Sequence, residues 1–131
     1  MADPTEEDER EMSEQAPAVT GIAALAVDCQ DPSGLARWWS RLLGGEVEVD
    51  PDGDATLHTP EGLAIDFVRV PEAKTVKNRL HLDLRSTDLA EATAQAVALG
   101  ATRADDVYDG GRWQVLRDPE GNEFCLLRPR S

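Results

Sequence analysis

The chain contains the stretch DPSGLARWWSRLLGG at residues 31–45, which predicts a helix with a defined start and end. Asp31 suits the N-cap of that helix, and Pro32 suits its first position, where a backbone N–H would have no intrahelical partner. The apolar residues recur at the spacing of one helical face and are Leu35, Trp38, Trp39, Leu42 and Leu43. Gly44 then stops the pattern, so the sequence predicts an amphipathic helix with one apolar face.

Short strand-like stretches flank this helix and give the first half the order β-α-β-β-β. The apolar run at 20–28 precedes the helix and predicts a strand buried on both faces. Three further strand candidates follow at 46–49, 55–59 and 63–70. The turn sequences DPDG (50–53) and TPEG (59–62) separate these candidates from one another.

The second half of the chain repeats the same order. RLHLDLR at 79–85 predicts a strand, because its leucines alternate with Arg79, His81, Asp83 and Arg85. A second helix is predicted from Asp88, a candidate N-cap, to a stop at Gly100. Three strands are then predicted at 102–107, 112–117 and 122–128, and the turn sequence DPEG joins the last two.

Residue matches between the two halves indicate an internal duplication. Leu43-Gly44-Gly45 recurs as Leu99-Gly100-Ala101, and Pro60-Glu61-Gly62 recurs as Pro119-Glu120-Gly121. Because the order of elements repeats as well, we predict one α+β domain at 19–131, built from βαβββ units at 19–71 and 79–130. Two such units would pair curved mixed β-sheets around a cleft, with the helices outside.

The charge of the chain excludes some classes of partner. Its 26 acidic and 13 basic residues give a net charge of −13, which opposes binding to nucleic acid or to an anionic membrane surface. Residues 1–18 hold seven of the acidic side chains, so we expect a disordered acidic tail there. Two cysteines are too few for a disulfide framework, and the N-terminus lacks the regions of a signal peptide, so we expect a cytoplasmic protein.

Three stretches of the sequence resemble those of a known group of proteins. They are VDCQDPSGLARWWSRLLGG at 27–45, RVPEAKTVKNRLHLDL at 69–84 and DPEGNEFCLL at 118–127. With them the chain resembles the vicinal oxygen chelate superfamily, and within it the bacterial glyoxalase-like domains related to bleomycin-resistance proteins and dioxygenases. The resemblance implies the βαβββ fold, a small-molecule ligand and a homodimer.

The resemblance also implies positions for four metal ligands, usually His, Glu or Gln. Carried over residue by residue, these positions hold Ala24, Asp66, His81 and Cys125. Ala24 cannot bind a metal, and a soft thiolate disfavours the hard ions of glyoxalase I or extradiol dioxygenase chemistry, so neither activity is expected. We expect no metal cofactor; the alternative is a zinc site of Asp66, His81 and Cys125 with an open position.

Without a metal, His81 is the strongest candidate for a catalytic residue, because its ordinary pKa lies near neutrality. Asp66 is expected to orient His81. Further candidates for binding a ligand are Arg79, Asp83, Trp113 and Cys125.

These candidates suggest three functions. The first in rank is metal-independent binding of a small molecule by a glyoxalase-like protein. A lyase or isomerase that transfers a proton through His81 is the second, and a zinc-dependent enzyme with the Asp, His and Cys ligands is the third.

Overall fold

Within residues 17–130, which the computed structural model describes, ten regular elements follow the order predicted for two βαβββ units. The predicted acidic tail lies almost entirely outside the described residues. The first unit consists of β1 (Leu25–Cys29), α1 (Pro32–Leu43), β2 (Glu46–Val49), β3 (Ala55–His58) and β4 (Ala64–Arg69). The second consists of β5 (Asp83–Arg85), α2 (Leu89–Leu99), β6 (Thr102–Arg103), β7 (Trp113–Arg117) and β8 (Glu123–Leu127).

Each unit forms its own four-stranded mixed sheet, and the two sheets have the same topology. The strand order is β1-β4-β3-β2 in the first sheet and β5-β8-β7-β6 in the second. In each sheet the first and last strands of the unit are parallel neighbours, and the other pairs are antiparallel. This arrangement confirms the predicted α+β fold class.

Both helices begin and end at the predicted residues. The Asp31 side chain accepts a hydrogen bond from the Gly34 amide, and the Asp88 side chain accepts one from the Glu91 amide. Each aspartate therefore satisfies an N–H group that lacks an intrahelical partner. Gly100 ends α2 in the left-handed conformation at φ 114°, which glycine adopts without a steric penalty.

The apolar face of α1 joins the two units in one core. Trp38 and Trp39 are both buried and contact the ring of Phe124 from the second unit edge-on. The Trp38 indole N–H donates to the Leu99 carbonyl, and that of Trp39 donates to the Asp118 carboxylate, each at 2.9 Å. The two units are therefore joined by paired polar groups as well as by apolar packing.

Three strand predictions need correction. β1 is not buried on both faces, because it is an edge strand in which Ala26 and Asp28 are exposed. β5 begins only at Asp83, which is the register partner of Cys125, because the chain bends at residues 79–80 and enters the sheet only after that bend. Leu80 is consequently 86% exposed instead of lying on a buried face.

The third correction concerns β6, which has two residues instead of the predicted six. After Arg103 the chain turns, and the Val107 and Tyr108 amides both donate to the Ala104 carbonyl. Among the described residues, no helix has both the length and the apolar character needed to cross a bilayer.

Candidate functional site

A cavity of about 420 Å³ lies on the face of the second sheet that points away from α2. On the opposite face, Leu84, Leu116 and Leu126 belong to the main core or pack against it. Because side chains alternate along a strand, the residues between them face the cavity. Its polar lining consists of Lys77, His81, Asp83, Glu123 and Cys125, and its apolar lining of Val107, Tyr108, Trp113, Val115 and Leu127.

The polar floor of the cavity brings together His81, Asp83 and Cys125. His81 Nδ1 lies 2.9 Å from Asp83 Oδ1 and 4.0 Å from Cys125 Sγ. The three side chains present ligand atoms within 4.8 Å of one another. The strand pairing explains this proximity, because Asp83 is the register partner of Cys125 and the Cys125 amide donates to the Leu82 carbonyl.

The hydrogen bond to Asp83 fixes the tautomer of His81. An ionised carboxylate only accepts, so the neutral ring carries its proton on Nδ1 and presents Nε2 as an acceptor. Within residues 17–130, Nε2 takes part in no hydrogen bond. The His81 side chain is 38% exposed, so a molecule in the cavity can reach the ring. The pair has the arrangement of a general base with its orienting carboxylate.

Cys125 is held in the thiol form. Burial, the negative charge of Asp83 and a hydrogen bond to that carboxylate raise the pKa of Cys125 to about 11. A thiol is a weak nucleophile and a poor metal ligand until it loses its proton. Cys29, the other cysteine, is also buried, and burial together with Glu120 and other carboxylates raises its pKa to about 12.

Glu123 fixes the loop that borders the cavity. It is 4% exposed and accepts hydrogen bonds from the Asn78 amide, Lys74 Nζ and Arg117 Nε. Burial alone would raise the pKa of Glu123, but these three donors outweigh it and lower the pKa to about 2. Arg117 in turn forms a bidentate pair with Asp106. The carboxylate of Glu123 is therefore fully engaged within the protein, whereas Asp83 is 48% exposed.

The structure places Asp66 away from His81. Asp66 lies on β4 in the first sheet and accepts a hydrogen bond from Thr56 Oγ1 at 2.6 Å. Among the described residues, Asp83 has the position next to His81 that we expected for Asp66. The alternation of side chains predicts which face of a sheet Asp66 occupies, but it does not predict which residues of the other sheet lie near it.

Of the remaining candidate residues, some line the cavity and others do not. Trp113 lines the cavity, as does Lys77, whereas Arg79 lies on the exposed segment before β5 and outside the cavity lining of the described chain. Ala24 directly precedes β1 in the first unit.

Sequence reasoning missed Tyr108, whose ring stacks on Trp113 with centroids 3.9 Å apart and planes 8° from parallel. The signal was present in YDGGRW at 108–113, where two aromatic residues flank a pair of glycines.

The donor set of the site discriminates between metals. One imidazole, one carboxylate and one thiol are within reach of a common centre. These donors suit Zn²⁺, which accepts nitrogen, oxygen and sulfur ligands, better than ions that prefer oxygen alone. A bound zinc would have to displace both the thiol proton and the hydrogen bond between His81 and Asp83.

Comparison with solved structures shows the same fold in proteins of low sequence identity. FosX, a fosfomycin resistance protein from Listeria monocytogenes complexed with Mn(II) and sulfate, matches with a TM-score of 0.69 at 14% identity, over 86% of this chain and 92% of that chain. A glyoxalase/bleomycin resistance protein/dioxygenase family enzyme from Burkholderia phytofirmans PsJN matches with a TM-score of 0.66 at 18% identity, over 82% and 98%.

An integron cassette protein from V. cholerae also matches, with a TM-score of 0.60 at 16% identity, over 87% of this chain and 98% of that one. No curated protein matches the chain in sequence. The family model for the glyoxalase-like domain matches residues 24–127, which include both βαβββ units. The chain therefore belongs to the glyoxalase-like domain family of the vicinal oxygen chelate superfamily.

Proposed function

We propose that this protein binds a small organic molecule in the cavity of the second sheet, without a metal, and that His81 and Asp83 are its polar anchor. The observation that carries the proposal is the hydrogen-bonded pair of His81 and Asp83 on the floor of a cavity of about 420 Å³. Binding sites for small molecules are typically apolar clefts of about this size with a few polar groups.

The geometry of the cluster supports binding of an organic molecule. His81 Nδ1 is engaged by Asp83 Oδ1, whereas His81 Nε2 takes part in no hydrogen bond within the described residues. The side chains of His81 and Asp83 are 38% and 48% exposed. An organic ligand in the cavity can therefore form hydrogen bonds with both of them.

Thermal denaturation in the presence of a compound panel tests this proposal. The panel contains fosfomycin, bleomycin and a set of polar aromatic metabolites. We expect at least one compound to raise the midpoint of unfolding of the wild-type protein, and His81→Ala or Asp83→Asn to remove that increase. Asp28→Asn, which changes an exposed aspartate on the first sheet, is the matched control and should keep it. An increase that persists in His81→Ala would refute the assigned anchor.

A second candidate function is proton transfer next to a carbonyl, as in a lyase or isomerase. The hydrogen bond between His81 and Asp83 favours it, because the carboxylate would stabilise the imidazolium formed when Nε2 accepts a proton. Exchange of the α-proton of a bound carbonyl compound with deuterated solvent, followed by NMR, measures this step directly. We expect His81→Ala to abolish this exchange, and exchange in the variant equal to that of the wild type would exclude a proton-transfer role.

The third candidate function requires zinc held by His81, Asp83 and Cys125. When bound, zinc would supply a Lewis acid at the cavity floor. Competition with a chromophoric chelator measures the affinity of the protein for Zn²⁺. If this candidate is correct, Cys125→Ser weakens zinc binding by about tenfold or more, whereas Cys29→Ser, at the other buried cysteine, does not. Equal zinc affinity in wild type and Cys125→Ser would exclude the site.

A homodimer is part of the same proposal. β1 and β5 lie at the ends of their sheet orders, and Ile22 and Leu80 nearby in sequence are 83% and 86% exposed. Open strand edges and exposed apolar side chains are features that a second copy of the chain can cover. Light scattering during size-exclusion chromatography should give a mass of about twice that of one chain, and a monomer at micromolar concentration would contradict this.

A further inference from the structure

The aromatic pair Tyr108 and Trp113 forms one wall of the cavity and has no part in the hydrogen-bonded cluster on its floor. The two rings are parallel to within 8° at a centroid separation of 3.9 Å. At that spacing the pair is in full contact, so no third ring fits between the two. Trp113 nevertheless remains 37% exposed, which leaves part of its surface free for another group.

The 104–112 loop holds this pair in place. Gly111 has φ 79°, a conformation that residues with a side chain rarely adopt, and its carbonyl accepts a hydrogen bond from Arg128. A Cβ atom at Gly110 would collide with the hydroxyl end of the Tyr108 side chain, so the loop passes directly beside the tyrosine ring. The Tyr108 hydroxyl also accepts a hydrogen bond from the Arg112 amide.

Packing below the loop adds to this constraint. Val107 and Tyr108 pack on a small buried cluster that includes Ala104, Val115 and Cys125. Tyr108 therefore contacts the core on the cavity floor as well as Trp113. A surface of two stacked rings held by a glycine turn and a buried cluster is rigid, and rigid aromatic side chains bind at a low cost in conformational entropy.

The free polar groups of the cavity indicate what else the ligand carries. Glu123 is saturated by Lys74, Arg117 and the Asn78 amide, whereas Asp83 is 48% exposed and is bound to His81 through Oδ1. The hydrogen bond with His81 uses Oδ1, so Oδ2 is the oxygen that the histidine leaves available to a ligand. Lys77 at the rim adds one positive charge, but the described domain has an acidic excess from residue 19 onward. The Asp83 carboxylate and the negative potential of the acidic domain both favour a ligand that is a cation or a strong hydrogen-bond donor.

We infer that the ligand is a planar aromatic cation whose ring stacks on Trp113, extending the pair with Tyr108, while its charged donor reaches Asp83. This inference rests on the proposed binding function and adds the chemical class of the ligand. Aromatic stacking and the attraction between a cation and an aromatic face both act at such a wall.

Isothermal titration calorimetry with three probe compounds tests whether the ligand is a planar aromatic cation. Proflavine is a planar aromatic cation, anthracene carboxylate is an anion with a similar three-ring system, and adamantylammonium is a cation with no flat face. We expect proflavine to bind at least about tenfold more tightly than either of the others. Adamantylammonium binding as tightly as proflavine, or no proflavine binding at all, would overturn the inference.

Variants of the wall separate this inference from the proposed function. Trp113→Leu keeps an apolar side chain but removes the ring, and it should weaken proflavine binding by about tenfold, whereas Trp113→Phe should restore most of the affinity. Val49→Ala, at an exposed apolar residue on β2 of the first sheet, is the matched control and should leave the affinity unchanged. Equal affinity in Trp113→Leu and wild type, together with a loss in Asp83→Asn, would refute the aromatic wall while leaving the binding function intact.

Discussion

Replacing Glu123 by glutamine should destabilise the protein by an amount that depends on pH. Glu123 is 4% exposed, and its pKa falls from 4.5 to about 2 through the Asn78 amide, Lys74 and Arg117, against the opposing effect of burial. Each pKa unit corresponds to about 1.4 kcal/mol, so the ionised carboxylate contributes about 3 kcal/mol to the free energy of unfolding at pH 7. Glu123→Gln keeps the shape of the side chain but removes this charge.

The pH dependence follows from the direction of the pKa change. A carboxylate with a lowered pKa in the folded state stabilises the protein fully above its unfolded pKa of 4.5, and the contribution disappears as the pH falls toward 2. The penalty of Glu123→Gln should therefore be about 3 kcal/mol at pH 7 and roughly half of that at pH 3.

Urea denaturation at the two pH values, followed by tryptophan fluorescence, measures this penalty. Glu72→Gln, at an exposed glutamate in the connection between β4 and β5, is the matched control and should change the free energy of unfolding by less than about 0.5 kcal/mol. Carboxylates remote from Glu123 titrate alike in wild type and variants, so the difference between the proteins reports on Glu123 and the ion network around it. A penalty under about 1 kcal/mol at pH 7, or one that is equal at pH 3, would refute the assignment of the buried ion network.

Three further predictions concern the interface between the units, the aromatic wall and the buried thiol. Trp39→Phe removes the indole N–H that donates to buried Asp118, so urea denaturation should show a loss of about 1 to 3 kcal/mol; an unchanged midpoint would contradict this. Gly110→Ala forces the stacked tyrosine aside and should weaken proflavine binding severalfold, whereas Gly21→Ala, where a Cβ meets nothing within 4 Å, should not. Alkylation of Cys125 by iodoacetamide, resolved by peptide mass spectrometry, should accelerate up to about pH 11, and a plateau reached near pH 8.5 would show an unperturbed thiol.

The local parts of the fold could be predicted from the sequence because their causes are local. Asp31 and Asp88 begin helices by accepting nearby amide hydrogens, and Gly100 ends one by adopting a left-handed conformation. The repeated order of elements indicated two equivalent units before any contact between them was known. Alternation at 79–85 also indicated that His81 and Asp83 share one face.

Strand lengths were less predictable, because a strand extends only as far as its partner. The alternation at 79–85 suggested seven residues of strand, but pairing with β8 begins only at Asp83, after a bend at residues 79–80, and Leu80 is left exposed. The polar network around Glu123 could not be predicted from the sequence either. Its donors come from three separate segments that only the tertiary fold brings together.

The sequence by itself therefore determined the two βαβββ units and the helix boundaries, and it indicated His81 as a candidate for the site. The tertiary structure decided which carboxylate lies next to His81. Asp83 forms a hydrogen bond with it, whereas Asp66 accepts one from Thr56 in the other sheet. It also decided that Tyr108 stacks on Trp113. The physical reason is the same in each case, because local patterns specify dihedral angles and faces, whereas a binding site depends on distances between segments that are remote in sequence.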